Sequence, residues 1–160
     1  MRIIEILIKF ANENVFGTFF PGMNIEKLNQ AFVEIAEKKI ELTRFDVQEP
    51  QYDAVLAEIH TMEENFQLTY GTYVEEVLFN VHDEYCPDNE VLLPSAYMAS
   101  AYLRSSNDRV VYDVENDQGI IVEADDFPGV KARLVLIPGP TRLILQGEKS
   151  EFKETVWIAS

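Results

Sequence analysis

The sequence is short of basic residues, and this shortage excludes several kinds of partner. It holds 13 Lys and Arg against 28 Asp and Glu, which gives a formal net charge of −15. Binding to nucleic acid depends on lysine and arginine displacing the counterions of the phosphates. We therefore expect no direct nucleic-acid partner, and repulsion from anionic lipid headgroups disfavours a membrane partner as well.

Cysteine and long apolar runs are also scarce. The single cysteine, Cys86, cannot form an intrachain disulfide, and no basic-then-apolar leader is visible, so we expect a reducing, cytoplasmic location. Charged residues interrupt "IIEILIKF" and "VLFNV" well before the roughly 18 to 20 residues that a membrane span needs. With 47% apolar residues and no repeat or linker, residues 1–160 are predicted to form a single globular domain.

Signatures of catalysis and cofactor binding are missing too. The glycines occupy turn contexts without a phosphate-binding GxGxxG or GxxxxGK pattern. Two histidines, His60 and His82, lie near carboxylates, but neither belongs to an HExxH motif, and Cys86 has no CxxC partner. We therefore assign no catalytic residue, metal ligand or cofactor, and interpret the histidines as solvated or locally paired.

The first part of the chain has the pattern of a β-α-β unit. A β-branched run from Arg2 to Phe10 predicts a buried strand. Asn24 is a candidate N-cap for a helix from Ile25 to Lys38, whose apolar residues recur at helical spacing. A second strand is expected over residues 40–47.

Central helices and a β-rich end are predicted next. Asp53 is a candidate cap for a helix through Phe66, Gly71 separates it from another helix over residues 72–85, and Pro94 begins a short further helix. Five short β-rich runs separated by turn sequences follow from Arg109, which is typical of an antiparallel meander. The predicted class is α+β, with a β-α-β opening, central helices and a C-terminal antiparallel β-meander.

The negative charge is concentrated in one segment. Residues 45–103 contain 12 acidic and no basic residues, whereas residues 1–44 have net charge 0 and residues 104–160 have net charge −3. Helix surfaces that serve only solubility usually mix both signs of charge. We therefore interpret this acidic segment as a partner-binding surface. Its candidate contact residues are Glu58, Glu63, Glu64, Tyr73, Glu75, Glu76, Asp83, Glu84, Tyr85 and Asp88.

The function expected from this pattern is that of a small acidic binding protein that neutralises a basic protein partner. Its most concrete form is an immunity-type inhibitor of a nuclease toxin. A regular row of carboxylates along one surface would favour a nucleic-acid mimic that blocks a DNA- or RNA-binding protein. A deep pocket around His60 or His82 would favour a small enzyme or ligand-binding domain that uses the sheet and the "FFPG" loop. A well-solvated acidic surface without a partner is the remaining interpretation.

Overall fold

Two helices precede two antiparallel sheets in the computed structural model, which describes residues 22–160. Helix α1 spans Ile25–Leu42 and helix α2 spans Pro50–Tyr85, followed by a 3₁₀ turn at Pro94–Tyr97. This order confirms the predicted α+β class with a C-terminal antiparallel meander. The strand predicted over residues 2–10 lies outside the described residues.

Helix α1 begins as predicted but ends later. The side chain of Asn24 accepts a hydrogen bond from the Lys27 backbone N–H at 3.1 Å, which caps the helix. The helix continues past Lys38 to Leu42, so the strand predicted over residues 40–47 is wrong. Half-buried Ile40 extends the apolar stripe of the helix by one more turn and packs against the core. Its β-branched side chain had suggested a strand.

The two central helices expected on either side of Gly71 form one continuous helix, α2, of 36 residues. Asp53 lies inside this helix and is not its cap. The N-cap is Glu49, and proline follows because its fixed φ suits a first helical turn. A Cβ atom at Gly71 would lie 2.2 Å from Nε2 of Gln67, which instead crosses this position and donates to Glu75 at 3.1 Å. Gly71 therefore provides space along the helix surface and does not end the helix.

The β-rich end divides into a two-stranded and a four-stranded sheet. Strands β1 and β2 pair with each other, and the larger sheet has the order β3-β4-β5-β6, with every pair antiparallel. The strands are β1 (Leu103–Ser106), β2 (Val110–Asp113), β3 (Ile120–Val122), β4 (Ala132–Ile137), β5 (Arg142–Gly147) and β6 (Lys153–Ile158). The five predicted runs correspond to β2–β6. Strand β1 was not predicted from the sequence, and its pairing with β2 separates β2 from the meander.

The short helix predicted from Pro94 is only a single 3₁₀ turn. The buried Tyr97 hydroxyl accepts a hydrogen bond from the Leu92 backbone N–H at 3.0 Å, which fixes the turn against the preceding loop. Met98 then adopts an extended conformation and forms a β-bridge with Leu136. Pairing with β4 therefore replaces a second turn of helix.

One buried cluster joins both helices to the larger sheet. The Phe32 ring of α1 lies 5.9 Å from the rings of Phe66 and Tyr102, measured between centroids. Leu78 of α2 and Leu134 of β4 are both fully buried in the same cluster. The helices of residues 22–160 include none with the length and apolar character of a membrane span. Because α2 contributes one side to this core, its opposite side faces solvent.

Candidate partner-binding surface

Two of the candidate acidic residues form ion pairs with helix α1. Lys38 lies 2.8 Å from the carboxylate of Glu58, and Lys39 lies 3.0 Å from that of Glu63. The acidic segment is therefore partly compensated by cations that belong to a different segment of the sequence. Counting charges segment by segment could not reveal this compensation, because it depends on the packing of the two helices.

The pair between Lys39 and Glu63 is part of the protein interior. The Lys39 side chain is 8% exposed, and its ammonium group also donates to the Ala99 carbonyl at 2.8 Å. It lies 5.8 Å from the centre of the Tyr102 ring. Burial lowers the pKa of Lys39, whereas the nearby Glu63 carboxylate acts to raise it. Glu63 is thus the counter-ion of a buried lysine.

The two candidate tyrosines are less accessible than contact residues of a binding surface should be. Tyr73 is 5% exposed, and its ring centroid lies 6.1 Å from that of Trp157. Burial raises the pKa of Tyr73. Tyr85 is half-buried at the end of α2, where its carbonyl accepts a hydrogen bond from the Asp125 backbone N–H at 2.9 Å. Tyr73 therefore belongs to the core, and Tyr85 is partly buried against it.

The remaining candidates lie mostly at the surface. Glu64, Glu76, Asp83 and Glu84 are exposed on α2, and Asp88 is exposed in the loop after it. Within residues 22–160, no ion pair joins Glu64, Glu76, Asp83 or Asp88 to a lysine or arginine. Glu75 is half-buried and accepts the hydrogen bond from Gln67.

Two large apolar side chains share the solvent-facing side of α2 with these carboxylates. Leu68 is 84% exposed and Phe79 is 53% exposed. Helical spacing places the two side chains on the same side of α2, with carboxylates close to both. We call this surface the exposed α2 face, which comprises Glu64, Leu68, Glu75, Glu76, Phe79 and Asp83. Neither apolar residue was predicted from the sequence to belong to this surface, although both fall outside the buried stripes of α2.

His82 is enclosed by a local hydrogen-bond network. It is 2% exposed, with Nδ1 3.0 Å from the Asn89 carbonyl oxygen and Nε2 2.7 Å from the Tyr97 hydroxyl. Burial lowers the pKa of His82 and raises the pKa of Tyr97 to about 12. A neutral ring that donates from Nδ1 to Asn89 can accept at Nε2 from the Tyr97 hydroxyl. The network holds the loop after α2 in place, and both ring nitrogens of His82 are engaged in it.

The other candidate reactive groups occupy two different settings. His60 is exposed on α2 beside an open groove. Cys86 is fully buried at the C-cap of α2, and burial raises the pKa of its thiol to about 11. The described part of the chain contains no group of three or more His, Cys, Asp or Glu side chains that could hold a metal ion. His60 is therefore accessible to solvent, whereas Cys86 and His82 are both buried.

The basic residues of the β4–β5 region make internal contacts. Lys131 and Arg133 lie 3.3 and 2.7 Å from the carboxylate of Glu148. Arg142 donates to the carbonyls of Pro138 and Tyr112 at 2.8 Å. Each of these three basic side chains is therefore engaged by a carboxylate or carbonyl of the chain itself.

Comparisons of this chain with protein-family models, with curated proteins and with solved structures find no match.

Proposed function

We propose that this chain is a small acidic binding protein that neutralises a basic protein partner through the exposed α2 face. The observation that supports the proposal is the combination of exposed carboxylates with exposed Leu68 and Phe79 on one side of a single helix. Carboxylates attract and orient a cationic partner, whereas apolar side chains add contact area that excludes water. A surface that served only solubility is expected to mix both signs of charge and to carry few large apolar side chains.

The carboxylates of this face are close enough together to act as one electrostatic feature. Glu76 and Asp83 are seven residues apart, which corresponds to about 10 Å along the helix axis. The screening length at physiological salt is about 8 Å, so neighbouring carboxylates partly reinforce each other's field. Such a field speeds the encounter with a basic partner and weakens as ionic strength rises.

The charge density of this face is too low for a mimic of nucleic acid, and it therefore favours a surface that complements a basic protein directly. Glu64 and Asp83 are separated by about 28 Å along α2. Duplex DNA carries about 17 charges over this length, at one charge per 1.7 Å. The exposed α2 face carries four carboxylates over the same distance, and Leu68 and Phe79 interrupt them.

The most concrete form of the proposal is an inhibitor of a nuclease. A nuclease binds phosphates through cationic side chains, so its active site is a basic surface of the kind that this face would attract. We therefore infer that the chain acts as an immunity-type inhibitor of a nuclease toxin. The alternative of a small enzyme or ligand-binding domain that uses the sheet and His60 or His82 is less favoured, because the His82 ring is enclosed and hydrogen-bonded and His60 lies beside an open groove rather than in a deep pocket.

Affinity capture from cells of the source organism tests the proposal. The bait variant Glu64→Gln/Glu76→Gln/Asp83→Asn removes three exposed charges, and it leaves the buried ion pair of Glu63 intact. A matched control, Asp46→Asn/Asp108→Asn/Glu115→Gln, removes three exposed charges outside α2. We expect the parent and the control to retain the same basic protein at low salt and the α2 variant to lose most of it. Equal capture by all three baits would contradict the proposal.

A further inference from the structure

A groove runs between α2 and the segment that leads into the 3₁₀ turn. Helix α2 contributes His60, Glu64 and Leu68 at successive turns, and Leu93 and Ser95 form the opposite wall. The groove has a volume of about 510 Å³ and is open to solvent. Leu68 is 84% exposed and Leu93 is 58% exposed. Two leucines from separate elements therefore present apolar surface to the same open space.

The wall that carries Leu93 is held firmly in place. The backbone N–H of Leu92 donates to the Tyr97 hydroxyl at 3.0 Å, and Tyr97 is in turn bound to His82 at 2.7 Å. The following residue, Pro94, is buried. The backbone around Leu93 is thus fixed, and it holds the Leu93 side chain at the surface. A partner would therefore bind to a largely preformed groove. Preformed sites lose less conformational entropy on binding.

The charge at the groove identifies the class of occupant. Glu63 lies at the groove but is already paired with Lys39, so Glu64 is the carboxylate that can meet a cation from outside. No lysine or arginine of residues 22–160 lines the groove. A suitable occupant combines an apolar side chain for the two leucines with a basic side chain for Glu64. Nucleic acid and anionic lipid would instead bring negative charge towards Glu64.

We propose that this groove docks a basic amphipathic helical segment of a partner protein. The inference rests on the proposed function and adds the chemistry of the contacting segment. In such a helix an apolar residue and a lysine or arginine three or four positions away lie on one side. The apolar residue would lie between Leu68 and Leu93, and the cation would reach Glu64.

Two synthetic peptides of about 15 residues provide the probe, since this length supports a helix on binding. Both contain the same numbers of leucine, lysine and alanine. One places the leucines on a single helix face with lysines beside them, and the other has a scrambled order without such a face. Fluorescence anisotropy near 0.15 M salt measures the binding of each peptide to the parent protein. We expect the amphipathic peptide to bind at least about tenfold more tightly than the scrambled peptide.

Variants of the full chain separate the apolar contact from general attraction. Leu68→Ser should remove the preference for the amphipathic peptide, whereas Glu64→Gln should weaken both peptides. Val47→Ser is the matched control, because it removes an exposed apolar side chain outside both the groove and the exposed α2 face. We expect this control to bind both peptides as the parent does. Circular dichroism verifies that each variant is folded.

The outcomes distinguish this inference from the proposed function. Equal binding of the two peptides, or no binding of either, would overturn the groove as a docking site. Equal effects of Leu68→Ser and Val47→Ser would overturn it as well. The proposed function would then be judged separately by the capture experiment with the α2 charge variant, which does not depend on the peptides.

Discussion

Replacing Glu63 with Gln is expected to destabilise the fold, although the residue belongs to an acidic, partly exposed segment. The change removes the carboxylate 3.0 Å from the buried ammonium group of Lys39 and leaves the Ala99 carbonyl as its remaining strong acceptor. Breaking a fully buried ion pair costs about 3–5 kcal/mol. Glu63 is 21% exposed and glutamine can still accept a hydrogen bond, so we expect a loss of about 2–4 kcal/mol in the free energy of unfolding.

The loss of stability caused by Glu63→Gln should also become smaller as the pH rises. Burial lowers the pKa of Lys39 in the folded protein, and removing the Glu63 carboxylate lowers it further. Between this lowered pKa and the ordinary value of about 10.4 in the unfolded chain, the unfolded state binds more protons than the folded state. Stability therefore rises with pH in this window. The difference between the variant and the parent should shrink from pH 7 towards pH 10.

Urea unfolding followed by helical circular dichroism measures both effects. Glu64→Gln is the matched control, since Glu64 is exposed on the next position of the same helix, and its change should stay within about 0.5 kcal/mol. The double variant Lys39→Met/Glu63→Gln should recover much of the lost stability, because no buried charge is left unpaired. Equal stability of Glu63→Gln and Glu64→Gln, or a cost that grows with pH, would refute the role assigned to Lys39.

Three further outcomes follow from the packing of α2 and its neighbouring loop. Gly71→Ala should change the stability of the parent little, but it should stabilise a Gln67→Ala variant by about 1 kcal/mol, because the added methyl group then has space. Urea unfolding of the four proteins tests this, and equal effects of Gly71→Ala in the two backgrounds would contradict it. His82→Ala and Tyr97→Phe should each lower stability by about 1–3 kcal/mol, and less than additively when combined; strict additivity would argue against one network. Cys86 should react with a thiol reagent at pH 8 far more slowly in the native protein than in urea, and comparable rates would contradict its burial.

The local patterns that predicted the fold correctly were those with strong periodicity. The Asn24 cap and the spacing of Leu28, Phe32 and Ile35 identified α1, and the β-rich runs identified the four strands of the meander. The error at Pro94 occurred where tertiary contacts override local preference. Tyr97 and the β-bridge at Met98 end what began as a helix at Pro94.

The candidate surface was predictable in its charge but not in its composition. The acidic segment was evident from the sequence, whereas the pairing of Glu58 and Glu63 with α1 lysines depends on how two helices cross. The burial of Tyr73 likewise depends on Trp157, which is distant in sequence. Leu68 could have been recognised, because it falls two residues after the buried Phe66 and so faces away from the core.

The rate at which the captured partner associates with the protein, measured as a function of salt, tests most directly whether the exposed carboxylates of α2 form the binding surface. Glu63 and Glu75 have internal partners, so the informative variant is Glu64→Gln/Glu76→Gln/Asp83→Asn. At low ionic strength this variant should associate about three- to tenfold more slowly than the parent, and the difference should nearly vanish near molar salt, where the screening length is about 3 Å. The control with Asp46, Asp108 and Glu115 neutralised should stay closer to the parent. An unchanged association rate at low salt, in a folded α2 variant, would show that the partner binds elsewhere.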